Sequence, residues 1–160
     1  MPAAGWDATR CTAVRFVDTN VLLYAVSRAP AEAPKAAAAR RLLGAADLAL
    51  SVQVLQEFYV QATRPARSGA LSHEQASLLV EAWLRFPVQE TTVPLMLAAV
   101  RTADRYRISY WDAAIIEAAR GLGCATLLSE DMAHGQDFNG VVVENPFGVL
   151  AECPPAARAR

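Results

Sequence analysis

The stretch Val14–Asn20, which reads Val-Arg-Phe-Val-Asp-Thr-Asn, decides the predicted fold. An apolar run ends at Asp18, and the helix-forming residues Val21–Tyr24 follow at once. This order is typical of a buried parallel strand that ends in a polar turn and leads into a helix. In open α/β sheets, the carboxyl end of such a strand faces the crevice where ligands bind. We therefore expect Asp18 at that crevice and Asn20 as the helix cap, although an aspartate here can also serve only to shape the turn.

The composition predicts a single globular domain. The chain has 160 residues, of which 54% are hydrophobic and 19% charged, which suits a folded core and excludes a disordered chain. The net charge of −1 argues against coating nucleic acid through bulk charge, but it leaves a local basic rim open. The chain shows no apolar stretch of bilayer length and no secretory signal, so we expect a cytoplasmic protein without a membrane partner. Its cysteines have no metal-binding spacing and are expected to be free thiols: Cys11, Cys124 and Cys153.

Strand-like and helix-like segments alternate along the chain. Predicted strands cover residues 14–17, 48–50, 88–93, 125–128 and 141–144. Predicted helices cover about 21–27, 35–43, 52–63, 72–85, 94–106 and 109–121. The alternation indicates an α/β fold, with a parallel sheet flanked by helices on both faces and right-handed crossovers. We expect one folded domain at 14–147, a loose leader at 1–13 whose removal leaves the fold stable, and a flexible tail at 148–160.

Four acids lie where this fold brings strand ends and the following helices together: Asp18, Glu57, Asp112 and Asp131. Carboxylates that converge in this way repel each other unless cations lie between them. Carboxylates and water are also the ligands that Mg²⁺ and Mn²⁺ prefer. Such ions can activate water and stabilise the leaving oxygen of a phosphodiester.

Like Asp18, the other three acids also have purely structural interpretations. Asp112 follows Ser109 by three residues, so the pair can form a helix capping box. Glu57 can be an exposed helix residue, although its apolar neighbours favour partial shielding. Asp131 can cap a short helix, which would leave Glu130 as the acting acid.

Several short motifs, taken in order, resemble the PIN domain, and most closely its toxin branch, the VapC ribonucleases of bacterial toxin–antitoxin pairs. The resemblance covers about residues 14–147. The motifs that carry it are Phe16–Asn20, Gln56-Glu57, Trp111–Ile115 with Ala118-Ala119, and Leu127–Met132.

The resemblance implies a metal-dependent ribonuclease with an RNA substrate and a cognate antitoxin protein as partner. It implies an acidic site of Asp18, Glu57, Asp112 and Asp131, with Thr19, Asn20 and Ser129 in support. The family often has threonine at the position of Ser129, so the hydroxyl group is kept. Asp18 and Asp112 are expected to hold Mg²⁺ or Mn²⁺ most directly. Asp131 is a further ligand, and Glu57 completes the site partly through water.

Two other functions compete with this interpretation. A phosphatase of the haloacid dehalogenase type also begins with a strand-ending aspartate, but it needs a second acid two residues later, where this chain has Asn20. It also needs a downstream lysine pattern, and Lys35 is the only lysine. A non-catalytic PIN fold that binds RNA or protein is the second alternative. The acids speak against it, because a pocket of negative charge repels phosphates.

Some further residues have two interpretations each. Arg64 and Arg67 can contact RNA phosphates or belong to a solvated loop. His134 can reach the acidic site or lie on the surface. Trp111 can stack on a base, but a packing role is favoured.

The predicted helix at 72–85 has a wide apolar face formed by Leu78, Leu79 and Trp83. This face belongs either to the core or to a dimer surface. Together with the small-residue helices, it favours a homodimer.

Overall fold

The structure, a computed structural model, describes residues 14–148. Its five strands form a sheet in the order β3-β2-β1-β4-β5, and all neighbouring pairs run parallel. The strands are β1 (Arg15–Val17), β2 (Leu48–Ser51), β3 (Val88–Gln89), β4 (Thr126–Leu128) and β5 (Val142–Glu144). The predicted parallel sheet is therefore confirmed. The predicted leader at 1–13, nearly all of the predicted tail, and two of the cysteines lie outside the described residues.

Six α-helices connect these strands within residues 14–148, together with a 3₁₀ turn at Pro30–Glu32. The helices are α1 (Thr19–Ala25), α2 (Ala33–Leu43), α3 (Val52–Ala62), α4 (His73–Trp83), α5 (Val93–Tyr106) and α6 (Tyr110–Gly121). In the described part of the chain, no helix is both long enough and apolar enough to span a bilayer.

Two local predictions are wrong. Helix α1 begins at Thr19, and its cap is Asp18, whose side chain accepts from the Thr19 N–H. Asn20 therefore lies in the first turn of the helix and is not its cap. The third strand is shorter than predicted, because Thr92 already caps α5 and Pro94 lies in the first turn of that helix.

The central strands are buried on both faces. Successive residues of a strand point to opposite faces of the sheet. Phe16 and Val17 of β1 are both fully buried, and so are Leu127 and Leu128 of β4. Helices therefore cover both faces of the sheet, which leaves the carboxyl ends of the strands as the place where polar groups can gather.

Helix α4 begins with a capping box and buries part of its apolar face. Ser72 and Gln75 form both bonds of the box. Trp83 lies in the core, with its ring 4.7 Å from that of Phe58 in an edge-to-face arrangement. Leu78 is the exposed large apolar residue of this helix. Trp83 therefore belongs to the core, which is one of the two interpretations that the sequence allowed, and the homodimer stays a prediction.

Substitutions on α4 are expected to separate core from surface. Trp83→Phe should lower the free energy of unfolding by about 1–2 kcal/mol, because the smaller ring leaves a gap against Phe58. Leu78→Ala should change it by less than about 0.5 kcal/mol, because the side chain already faces solvent. Urea unfolding of both variants tests this. An equal loss of stability in the two variants would contradict the burial of Trp83 and the exposure of Leu78.

Candidate active site

The end of β1 and the end of β4 are held together by hydrogen bonds. The two strands are parallel neighbours, so their carboxyl ends reach the same edge of the sheet. The Asp18 N–H donates to the Leu128 carbonyl over 3.0 Å. The Ser129 hydroxyl donates to Asp18 Oδ2 over 2.6 Å. The polar residue that follows each strand therefore contacts the other, as the sequence predicts for this edge.

Asp18 is a buried carboxylate with several donors. The residue is only 4% exposed. Oδ1 accepts from the Thr19 N–H over 2.6 Å, and Asn20 Nδ2 lies 3.1 Å from Oδ2. Burial raises the pKa of Asp18 from its ordinary value of 3.8 to about 6. The bonds from Ser129 and Thr19 oppose this rise, whereas the charges of Asp131 and Glu57 add to it.

Glu57 is held by a donor on each carboxylate oxygen. Thr19 Oγ1 donates to its Oε2 over 2.8 Å, and Gln53 Nε2 donates to its Oε1 over 2.9 Å. Ser51, at the end of β2, caps α3 by accepting from the Val54 N–H and so fixes the start of the helix that carries Glu57. Glu57 is half-buried and fixed in direction, which excludes the interpretation as a freely exposed helix residue.

Asn20 connects Asp18 with Asp131. Its Nδ2 lies 3.1 Å from the Asp131 Oδ2, the same distance as from the Asp18 Oδ2. The Ser129 hydroxyl, 3.3 Å from the same nitrogen, also accepts from the Asp131 N–H. An amide nitrogen has two N–H donors, so Asn20 offsets part of the repulsion between the two carboxylates. The sequence predicted that Asn20 supports this edge of the sheet by capping the helix, whereas in the structure its side chain bonds to the two carboxylates.

Asp112 lies in the first turn of α6. The Ser109 hydroxyl caps this helix by accepting from the Asp112 N–H over 3.1 Å. Among the hydrogen bonds of residues 14–148, the reciprocal bond from the Ser109 N–H to the Asp112 carboxylate does not occur. The capping box is therefore half formed, and the carboxylate of Asp112 is left for another role.

All four acids line one open cleft of about 490 Å³. The full lining is Asp18, Thr19, Asn20, Leu23, Gln53, Gln56, Glu57, Gln61, Trp111, Asp112, Ile115 and Asp131. In the described part of the chain, no three His, Cys, Asp or Glu side chains converge tightly enough to form a ready-made metal cage. Mg²⁺ usually keeps several waters and takes only one or two carboxylates besides substrate phosphates. The donor set therefore fits a partly hydrated divalent ion that completes its coordination with substrate.

Glu130 is turned towards Lys35 and not into the cleft. The Lys35 ammonium forms an ion pair with Glu130 and lies 4.9 Å from the centroid of the Tyr24 ring. The hydrogen bond to Glu130 is the main reason why the pKa of Lys35 is raised. Asp131, and not Glu130, is therefore the acid of this loop that lines the cleft.

Three of the other sequence candidates do not line the cleft. Arg67 is half-buried and donates to the Leu23 carbonyl over 3.4 Å, while Arg64 is exposed beyond the end of α3. His134 Nδ1 accepts from the Asn145 N–H over 3.1 Å, so this ring holds a loop.

The sequence interpretation missed the glutamines of α3 and misplaced one tryptophan. Gln53 lies four residues before Glu57, a spacing that brings helix side chains together, so the pair was open to prediction. Gln56 and Gln61 also line the cleft. Gln56 belongs to one of the motifs that resemble the PIN domain but was given no role, and Gln61 has no signal that sets it apart from an ordinary surface residue. Trp111 is 62% exposed at the cleft, so the favoured packing role does not hold for most of this residue.

Residues 15–135 match the family model described as the PIN domain. The chain belongs to the PIN domain family. PIN domains are nucleases, which makes hydrolysis of phosphodiesters the kind of activity found in this family. No curated protein matches the chain.

Solved structures show the same PIN fold. A toxin–antitoxin complex from Klebsiella pneumoniae is 19% identical with a TM-score of 0.61, and the match covers 82% of this chain and 97% of that one. DNA-bound VapBC from Salmonella typhimurium is 17% identical with a TM-score of 0.57, over 82% and 97%. The Mycobacterium tuberculosis toxin VapC20, which cleaves the sarcin-ricin loop, is 20% identical with a TM-score of 0.56, over 71% and 86%. At these identities, the likeness establishes the fold of this PIN domain.

Proposed function

We propose that this PIN domain is a metal-dependent endoribonuclease and the toxin of a toxin–antitoxin pair. The observation that carries the proposal is the convergence of four acids in one open cleft, around a carboxylate that is almost completely buried. A carboxylate that is costly to ionise in this place gains most from a cation beside it. This is the electrostatic arrangement expected of a site that acts only with a bound divalent ion.

Asp18, Asp112 and Asp131 are the residues that would hold Mg²⁺ or Mn²⁺. When bound, such an ion polarises a phosphoryl oxygen and lowers the pKa of a coordinated water. Glu57 is fixed by Thr19 and Gln53, so its carboxylate can orient the attacking water or accept its proton. No side-chain nucleophile is required.

A non-catalytic binding module is the remaining alternative. With a net charge of −1 and four acids in the cleft, such a module would repel the RNA backbone from the cleft itself. Asn20 also weakens the phosphatase alternative, because it supplies an amide donor to Asp18 where that chemistry needs an acid.

The structural neighbours that are toxin–antitoxin complexes support an antitoxin as partner. A cytoplasmic location is consistent with an RNA substrate. The proposal includes a homodimer, because α5 has exposed apolar residues that a second copy would cover: Val93, Met96, Leu97 and Val100.

The test is cleavage of RNA by the purified protein. A labelled, mixed-sequence RNA of about 20 nucleotides should be cut at internal bonds in Mn²⁺ or Mg²⁺ and left intact in EDTA, because the acids cannot act without the ion. DNA of the same sequence is the matched control substrate. Cleavage that survives EDTA would contradict the metal-dependent proposal, and RNA binding without cleavage in either metal would favour the binding module.

A further inference from the structure

Trp111 is a large aromatic residue that the fold leaves on the surface of the candidate site. It is 62% exposed, the highest fraction of any large aromatic residue in the described part of the chain. It lines the acidic cleft together with Ile115, one helical turn further along α6, and with the neighbouring Asp112. Burial of a tryptophan contributes strongly to stability. Exposure here therefore forgoes a gain that Trp83 obtains in the core.

The position of Trp111 is nevertheless well fixed. Gln53 Nε2 donates to the Trp111 carbonyl over 3.2 Å as well as to Glu57, so the same amide holds the backbone of the aromatic residue and an acid of the site. The Tyr110 ring packs edge-to-face against the indole with 5.1 Å between the ring centroids. An exposed ring that is held in place loses little conformational freedom when a ligand covers it.

We propose that Trp111 is a base-stacking residue that holds one unpaired nucleobase of the substrate next to the bond that is cut. This inference rests on the proposed function, because the acids define where the scissile phosphate lies. A flat, exposed indole beside a phosphate site is the surface on which bases stack irrespective of their sequence. A base inside a duplex already has both faces covered by its neighbours, so the platform selects strands or loops with an unstacked base.

Other residues of the cleft suit this occupant. Gln56 and Gln61 of α3 line the same cleft with amide groups, which donate to and accept from base edges without adding charge. The cleft volume of about 490 Å³ lies within the range of small-molecule sites. The substrate would thus meet acids at the phosphate and an aromatic face with neutral amides at the base.

The experiment combines protein variants with a change in the RNA. The cleaved bond is first mapped in a mixed-sequence single strand, and each flanking nucleotide is then replaced by an abasic one that keeps the phosphate. Trp111→Leu and Trp111→Ala should lower kcat/KM by about 5- to 150-fold, the effect of losing one stacked base, whereas Trp111→Phe should stay within about threefold. Leu78→Ala, which truncates an equally exposed apolar residue outside the cleft, is the matched control and should cleave like the wild type.

The abasic substitution gives the readout that a merely structural role would not produce. At one flanking position, it should slow the wild type by a factor similar to that of Trp111→Ala, but slow Trp111→Ala itself by less than about twofold, because the same contact is removed only once. Equal abasic penalties in both proteins, or a fully active Trp111→Leu, would overturn the inference while leaving the nuclease proposal intact. If the wild type cuts no RNA, the nuclease proposal fails. Fluorescence anisotropy with the labelled strand, and with versions made abasic at each position in turn, then decides the stacking role by the same comparison.

Discussion

Asp112→Asn is expected to lower the rate of RNA cleavage in Mn²⁺ by about 100-fold or more. The amide has nearly the shape of the carboxylate but removes a charge that a divalent ion requires. In other metal sites, changing a residue that only supports a ligand already lowers metal affinity or activity by about 10- to 100-fold. The measurement is the initial rate of cleavage of a labelled RNA by the variant and the wild type.

The same variant separates catalysis from helix capping. The Ser109 hydroxyl accepts from the backbone N–H of residue 112, which an asparagine keeps, so stability should fall by no more than about 1 kcal/mol. In the absence of metal, the loss of one repelling carboxylate offsets this fall, so the free energy of unfolding of the variant should equal or exceed that of the wild type. Asp104→Asn changes an exposed acid on α5 and is the matched control, expected to leave cleavage unchanged. An Asp112→Asn protein with wild-type activity would remove Asp112 from the proposed metal ligands.

Asp18→Asn is expected to stabilise the metal-free protein at pH 8 by about 1–3 kcal/mol. The pKa of Asp18 is raised from 3.8 to about 6 in the folded protein, which corresponds to a cost of about 3 kcal/mol for the ionised form. Because a raised carboxyl pKa means that the folded state binds the proton more tightly, this cost is absent below about pH 4, grows between pH 4 and 6, and is complete above pH 6. The amide avoids the cost, but its NH₂ group faces the donor of Asn20, which reduces the gain.

The measurement is urea unfolding in EDTA at pH 4 and pH 8. The advantage of Asp18→Asn should be present at pH 8 and almost lost at pH 4, because pH 4 lies close to the unfolded-state pKa of 3.8 and well below the folded-state pKa of about 6. Asp104→Asn, at an exposed position, controls for the change in net charge. An advantage of equal size at both pH values would show that the charge of Asp18 is not its origin.

Local patterns were sufficient to predict much of the architecture. The strand that ends at Asp18 and the cap at Ser109 each depend on a few neighbouring residues, and the structure confirms them. The proximity of the four acids could be predicted because parallel strands end at one edge of the sheet. Their roles as ligands stay a prediction.

The wrong predictions depend on information that a local pattern lacks. Asp18 and Asn20 are both good capping residues, and only the path of the backbone decides between them. The residues after Val88 fit a strand or the start of a helix equally well until Thr92 caps α5. Whether Trp83 or Trp111 is buried depends on which helix packs against each of them, which is a property of the tertiary structure.

The ion pair of Lys35 has a practical consequence for labelling this protein. Lys35 is the only lysine in the sequence, so reagents directed at lysine amines act at the one side chain that holds Glu130, next to Asp131. A dye or resin attached there would remove the charge that Glu130 faces and place a bulky group beside the cleft. Thiol chemistry at Cys124 offers no replacement, because this residue is buried and burial raises its pKa to about 11. Attachment through Lys35 would therefore measure an altered site, and a genetically encoded tag far from α2 is the better handle.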